Sequence, residues 1–448
     1  MSIAPEPADP GARADRTVSA ILSCLDTTTG RGVVVDSPPG AGKSTLVVKA
    51  TGHLVSTGRH VMITAQTNEQ VDDLVDRLAS DHPSLAIGRL HASDFALPPR
   101  VAGHPTVTGS SQIGDLRQLP VVVSTAKKWS YVKPEKCEPW QWAIVDEAYQ
   151  MRSDALLATA PLFSLSDSKV LFVGDPGQLD PFATAETERW HGLTWDPLRN
   201  AVDVTLAHNP DLARHELPVS WRLPETAAPL VQKAFYPFYS FTSGTRTADR
   251  VLALPPFGRT SAPVDEVLAR AADSGWGYLE LPARHTHDND PAVAEALAET
   301  AARLLARGAT ANGGPLTQAR IAIGTARTIQ AAAVRTRLAD RALTDITVDT
   351  ANRLQGREFD VTLVWHPLSG RQDASDFHLE TGRLCVLLSR HRHACIVVGR
   401  AGIRDLLDRH PTSRPIHLDV PPKFPDGWRA HQTVMAHLEQ PEHRVRTM

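Results

Sequence analysis

Apolar residues in this chain gather in short unbroken runs instead of alternating with polar ones. In the first half the runs are Val33–Asp36, Val61–Thr64, Val121–Ser124, Trp142–Asp146 and Val170–Val173. Runs of this length, with no polar position to face water, predict strands covered on both faces, as in a parallel sheet. Between them apolar positions recur at helical spacing over Ser44–Leu54 and Asn68–Leu78. The second half repeats the style with Gly277–Leu281, Arg320–Gly324, Asp345–Val348, Val361–Trp365 and Cys395–Gly399, and with helices over Pro291–Arg307 and Ile329–Leu338. Strands alternating with helices predict an α/β class. The expected organisation is a flexible tail over 1–13, one α/β domain over 14–213, a second over 214–420, and a peripheral tail over 421–448. The stretch Tyr239–Ser261, rich in Gly, Pro, Ser and Thr, reads as surface loop.

Composition narrows the function classes. The chain has 448 residues, 42% apolar and 22% charged, which excludes a disordered or fibrous protein. Lys plus Arg is 47 and Asp plus Glu is 50, a net charge of −3. Coating nucleic acid by bulk charge is therefore excluded, and any basic contact surface must be local. The four cysteines lack zinc or redox-motif spacing, which fits a reducing, cytoplasmic setting. No apolar run approaches the ~20 residues of a membrane span, so no membrane partner is expected.

The candidate chemistry starts directly after the first strand run. Ser37-Pro-Pro-Gly-Ala-Gly42-Lys43-Ser44 is close to the phosphate-loop pattern, with Ser37 in place of the first Gly. Over Pro39, Gly40, Ala41, Gly42, Lys43, Ser44 and Thr45, backbone N–H groups and a helix N-terminus are expected to cradle phosphate. Lys43 neutralises the terminal phosphates, and Ser44 reaches magnesium. Trp142-Ala-Ile-Val-Asp146-Glu147 is an apolar strand ending in two acids. Asp146 is placed to hold Mg2+, and Glu147 to act as base or to orient water. Val170–Val173 is followed by Asp175 and by Gln178, a sensor of the γ-phosphate. The bland alternative is that these acids cap helices. Lys127-Lys128-Trp129-Ser-Tyr131-Val-Lys133 interleaves basic and aromatic residues, a pattern suited to single-stranded nucleic acid. His285-Thr-His287-Asp288 has no spaced partner for a metal and reads as surface loop.

Taken in order, these segments resemble superfamily 1 helicases, most closely the branch of the nonsense-mediated-decay helicase. Ser37–Thr45, Ala65–Leu74, Val122–Thr125, Asp146–Gln150 and Gly174–Pro181 are similar to motifs I, Ia, the next nucleic-acid motif, II and III. Val219–Pro224, Thr350–Asp360 and Val386–Arg392 are similar to motifs IV, V and VI. The resemblance implies two tandem RecA-like domains with ATP and Mg2+ in the cleft between them. It implies that Arg222 and Arg390 act as arginine fingers, that Trp221 stacks on the base, and that Gly356 and Glu358 approach the nucleotide. It places Thr67, Asn68, Ser124, Thr125, Thr325 and Thr350 along single-stranded DNA or RNA. It further implies 5′→3′ movement by a monomeric motor. The chain departs from the family pattern at Thr17, where an adenine-reading Gln is usual, at Trp221 for Tyr, and at His391 for Ala. Large inserted domains are also missing, so a clamp or switch without processive unwinding is the alternative reading.

Overall fold

The computed structural model describes residues 9–136, 138–164, 166–181, 188–190, 193, 196, 199–256, 262–410 and 425–447. Two compact units separate at Pro218/Val219, with Gly177–Leu179 clustering in the second.

The first unit is built on an eight-stranded sheet. Its strands are β1 (Gly32–Asp36), β2 (Val61–Ala65), β3 (Ile87–Leu90), β4 (Val107–Ser110), β5 (Val121–Thr125), β6 (Trp142–Asp146), β7 (Lys169–Gly174) and β8 (Ala213–Glu216). The order is β4-β3-β5-β2-β6-β7-β1-β8, and every pairing is parallel. All residues of β1, β2 and β6 are buried, which is why their sequences run apolar without alternation. Helices Lys43–Ser56 and Asn68–Asp81 follow β1 and β2 directly.

The second unit carries a six-stranded parallel sheet of β9 (Trp276–Leu281), β10 (Ile321–Thr325), β11 (Thr347–Thr350), β12 (Phe359–Trp365), β13 (His391–Arg400) and β14 (Arg444–Arg446). Its order is β11-β10-β12-β13-β9-β14. Helices Pro291–Ala306 and Thr328–Ala339 bury their apolar stripes on it. Both units are α/β with parallel sheets, the architecture of tandem RecA-like domains. Among the described residues, no helix is long and apolar enough to cross a membrane.

Four expectations need correcting. Residues 421–448 are not peripheral where the structure describes them. Helix Gly427–Leu438 buries Ala430, Val434, Met435 and Leu438, and β14 extends the sheet beside β9. Residues 214–216 belong to the first sheet as β8, not to the second unit. Tyr239 and Phe241 are core: with Tyr236 they form a cluster of tilted and edge-on rings. The N-terminal tail gives way to helix at Pro10, where the Asp9 carboxylate accepts the Ala12 N–H at 2.9 Å and caps Pro10–Thr27.

Candidate functional site

The loop after β1 is held at its entry and open at its tip. Ser37 N–H donates to Gly174 O of β7 at 2.9 Å. Gly40 and Gly42 take φ of 72° and 88°, a region that costs an L side chain roughly 1–2 kcal/mol. Ser37 is not among the positive-φ residues, so the Ser at the motif's first Gly needs no glycine geometry. Gly42 starts helix Lys43–Ser56, whose first turn has no side-chain cap. The free N–H groups and the helix dipole therefore face the loop.

Lys43 Nζ lies 3.0 Å from Glu147 Oε1, and both side chains are largely buried. Glu147 N–H donates to Asp146 Oδ1 at 2.9 Å. Burial, and then the neighbouring Glu147, push the Asp146 carboxyl well above the usual carboxylate range, against the pull of Lys43. Two carboxylates facing one ammonium form a pair that a divalent cation would relieve. Ser44 stands in the first turn of helix Lys43–Ser56 and Asp146 ends β6, and among the described residues no group of three or more His, Cys, Asp or Glu could hold a metal. Glu147 has φ of 50°, and this left-handed turn aims its carboxylate.

A network absent from the sequence reading fixes that turn. Tyr149 Oη donates to Asp36 Oδ1 at 2.6 Å, and Arg214 Nη2 donates to Asp36 Oδ2 at 2.7 Å. Asp36 is the last residue of β1, Tyr149 follows Glu147 by two, and Arg214 sits on β8. Burial and the Asp36 charge push the Tyr149 phenol well above its ordinary pKa, so it remains a donor. The signal in the sequence was an acid at the buried end of an apolar strand, which demands a partner. Tyr149→Phe is expected to lower stability by about 1 kcal/mol, read as a fall in Tm. An unchanged Tm would mean that the bond carries none of it.

The nucleic-acid candidates collect at two strand ends in each unit. Ala65 of β2 is the register partner of Thr125 of β5, which brings Thr67, Asn68, Ser124, Thr125 and Lys127 to one rim. Thr67 caps Asn68–Asp81, accepting the Gln70 N–H at 3.2 Å. Asn68 accepts from Arg89 at 3.0 Å, and the Ser124 hydroxyl is buried, donating to Leu90 O at 2.6 Å. Lys128 Nζ reaches Ser111 O at 3.0 Å, while Lys127 is exposed. Trp129 overturns its expected stacking role. It is fully buried, its Nε1 donates to Ile63 O at 3.0 Å, and it packs edge-on against Trp140. In the turn after Thr125 the indole falls on the inner face, and Tyr131, 72% exposed, is the ring presented to solvent. Thr325 and Thr350 are register partners at the ends of β10 and β11, and both side chains are buried.

In the second unit Arg222 Nε donates to Glu358 Oε2 at 3.0 Å, and Arg392 pairs with the same carboxylate. Burial alone would raise Glu358, but the two arginines outweigh it and hold it below its ordinary value. Trp221 lies against Gly244, where an added Cβ would meet the indole at 2.4 Å. Gly356 has φ of 79°. Gln178 Oε1 accepts from Gln355 Nε2 at 2.7 Å. Arg390 is buried, donating to Val386 O at 3.2 Å and Ser389 Oγ at 2.9 Å.

Residues 20–189 match one AAA-domain family model, and residues 281–402 match a second. No curated protein matches the sequence. Among solved structures, the arterivirus nonstructural protein 10 (helicase) is 15% identical with a TM-score of 0.42, covering 86% of this chain. The same protein in complex with DNA is 15% identical with a TM-score of 0.41, covering 88% of this chain. This chain spans 61% and 65% of those two chains. The two AAA-domain matches fall one on each of the two parallel-sheet units, the first spanning the phosphate loop after β1.

Proposed function

We propose that this protein is a nucleic-acid-stimulated ATP hydrolase of the superfamily 1 helicase kind, resembling the nonsense-mediated-decay helicase branch. It binds ATP with Mg2+ and moves 5′→3′ along single-stranded DNA or RNA as a monomer. The observation that carries the reading is the Lys43–Glu147 pair at 3.0 Å, beside the uncapped start of helix Lys43–Ser56. Pro39–Thr45 hold the triphosphate. Ser44 and Asp146 hold the cation, which screens phosphate charge when bound. Glu147 takes the proton of the attacking water, and Gln178 reports the terminal phosphate. Arg222 and Arg390 supply guanidinium charge to the transition state, a role worth about 10³–10⁵ in rate. Trp221, Gly356 and Glu358 are assigned to the nucleotide. Thr67, Asn68 and Thr125 line the strand, with Lys127 and Lys128 as its phosphate contacts, and the buried Ser124, Thr325 and Thr350 support the rim from beneath.

The test is the ATPase rate with single-stranded DNA, with single-stranded RNA and with neither. Stimulation by one polymer supports the reading, and equal rates in all three overturn it. Changing Lys127 and Lys128 together to Ala is expected to flatten the salt slope of binding by about two. An unchanged slope would move the phosphate contacts elsewhere. A second reading, a clamp without processive motion, draws support from the chain between Asp81 and Val121. It holds β3, β4 and short helical turns, with no inserted domain. Stimulated hydrolysis without strand displacement on a 5′-tailed duplex would favour that reading.

A further inference from the structure

Phe377 is a ring that the fold leaves 38% exposed, framed by two arginines. The Arg383 guanidinium lies 3.9 Å from its centroid and that of Arg327 lies 4.7 Å away. Arg383 is nearly buried and fixed, donating to Phe377 O at 3.1 Å, Glu380 Oε2 at 2.5 Å and Asn352 Oδ1 at 3.4 Å. Arg327 is more exposed and pairs with Asp288 at 3.3 Å. These contacts tie the ring to two strand ends. Arg327 follows Thr325 at the end of β10, and Asn352 follows Thr350 at the end of β11, with Thr325 and Thr350 in register. In parallel sheets ligands gather at such carboxyl ends. The threonine side chains there are buried. What the rim offers a ligand is the Phe377 ring, Arg327, the exposed Ile329 and Arg353.

We infer that Phe377 is a base-stacking contact for single-stranded nucleic acid on the second unit. The inference rests on the nucleic-acid reading above and gives it a subsite. An aromatic face receives any base, and the contact is indifferent to sequence. Arg327 shares Asp288 with Arg371, which also pairs with Asp373, and Arg383 pairs with Glu380, so three guanidiniums meet three carboxylates and the rim carries little net charge. Recognition there runs through the ring and through Arg327, which can lie over the same base, more than through phosphate. The contribution of Phe377 is accordingly insensitive to salt, unlike that of Lys127 and Lys128.

The experiment compares the full chain and Phe377→Ala on an oligothymidylate and on the same backbone carrying abasic sites, at low and high salt. Stacking is worth about 1–3 kcal/mol per base. Phe377→Ala is therefore expected to weaken oligothymidylate binding about 5- to 150-fold at 1.36 kcal/mol per decade, at both salt levels, and to leave abasic binding unchanged. Phe377→Leu keeps apolar bulk without a π face and is expected to lose the same base preference. Phe377→Trp is expected to keep it. Equal loss on both polymers, or no loss on oligothymidylate, would overturn the stacking role. If the unaltered chain bound neither polymer, the nucleic-acid reading itself would fall. If it bound oligothymidylate and Phe377→Ala matched it, only the subsite would fall.

Discussion

Glu147→Gln is expected to stop hydrolysis while nucleotide stays bound at least as tightly as in the unaltered chain. The Lys43–Glu147 pair at 3.0 Å leads to both halves of that statement. A positioned general base contributes about 10²–10⁴ in rate, and an amide cannot take the proton. The amide oxygen can still accept from Lys43, so the loop is not disturbed. Removing the Glu147 charge also removes a repulsion against incoming phosphate and against Asp146, whose carboxyl is pushed up by burial and by Glu147. Lys43→Ala behaves differently. It leaves Asp146 and Glu147 adjacent with no ammonium between them and the triphosphate, so binding and turnover are both expected to fall. In the double variant with Glu147→Gln, binding is expected to recover in part, because the uncompensated charge is gone. The two changes are thus non-additive, as for groups in direct contact. Single-turnover hydrolysis and nucleotide titration, run on all four proteins, check this. Near-normal turnover in Glu147→Gln would remove that residue from the base role. Additive losses in the double variant would mean that the 3.0 Å pair is not the coupling.

What could be read in advance follows from how each element is covered. β1, β2, β5 and β6 are buried on both faces, so their unbroken apolar runs announced them to within a residue. β3 and β8 escaped because each carries charge that the fold neutralises from a distance. Arg89, fully buried in β3, is held by Asp72 at 2.8 Å and Asn68 at 3.0 Å. Arg214 in β8 is held by Asp36. No local pattern reveals such partners, which lie 17 to 178 positions away. Gly427–Leu438 was missed for another reason. The Pro-rich approach to it reads as linker, whereas its buried stripe of Ala430, Val434 and Leu438 finds a core only in three dimensions. At the candidate site, spacing was enough to bring Lys43 beside Glu147, because a strand, a tight loop and a helix leave few options. Spacing was not enough for Trp129. An aromatic between lysines fits a solvated platform and an inward-turned residue equally well, and only the rotation of the Ala126–Trp129 turn decides.

Acidification from pH 7 to pH 5 is expected to unfold the second unit before the first. Among the described residues, the second unit buries His366, His378, His391, His393, His431 and His443. Burial, then the charges of His393, Arg222 and Arg390, push His391 down to about 3. Burial pushes His431 down to about 3 against its bond to His378 O, and His366, beside it at 5.2 Å, lies well below its ordinary value. Burial also lowers His378 and His437 to about 4, with Arg371 and Arg327 adding to the first and His443 to the second. Neither nitrogen of His391 has a hydrogen-bond partner among the described residues, so a proton there would have nothing to share it. The sign follows from which state takes the proton. Unfolded histidine binds it near pH 6.5, whereas His391 and His431 do so only near 3 and His378 and His437 only near 4. Stability is therefore complete above about pH 6.5 and is lost as pH falls below it, the loss levelling off only near the folded values. For a ring moved from 6.5 to about 3, the loss at pH 5 is about 2 kcal/mol, so His391 and His431 together remove about 4 kcal/mol. That is a large fraction of the 5–15 kcal/mol typical of a folded protein. Hydrogen exchange on the full chain resolves the units. Strand His391–Arg400 and helix Gly427–Leu438 are expected to lose protection by pH 5, while Gly32–Asp36 and Val61–Ala65 keep theirs. His431→Gln retains a donor for His378 O and is expected to recover about 2 kcal/mol of the loss. Uniform loss across both sheets, or a pH response unchanged by His431→Gln, would show that these neutral rings are not the acid-sensitive element.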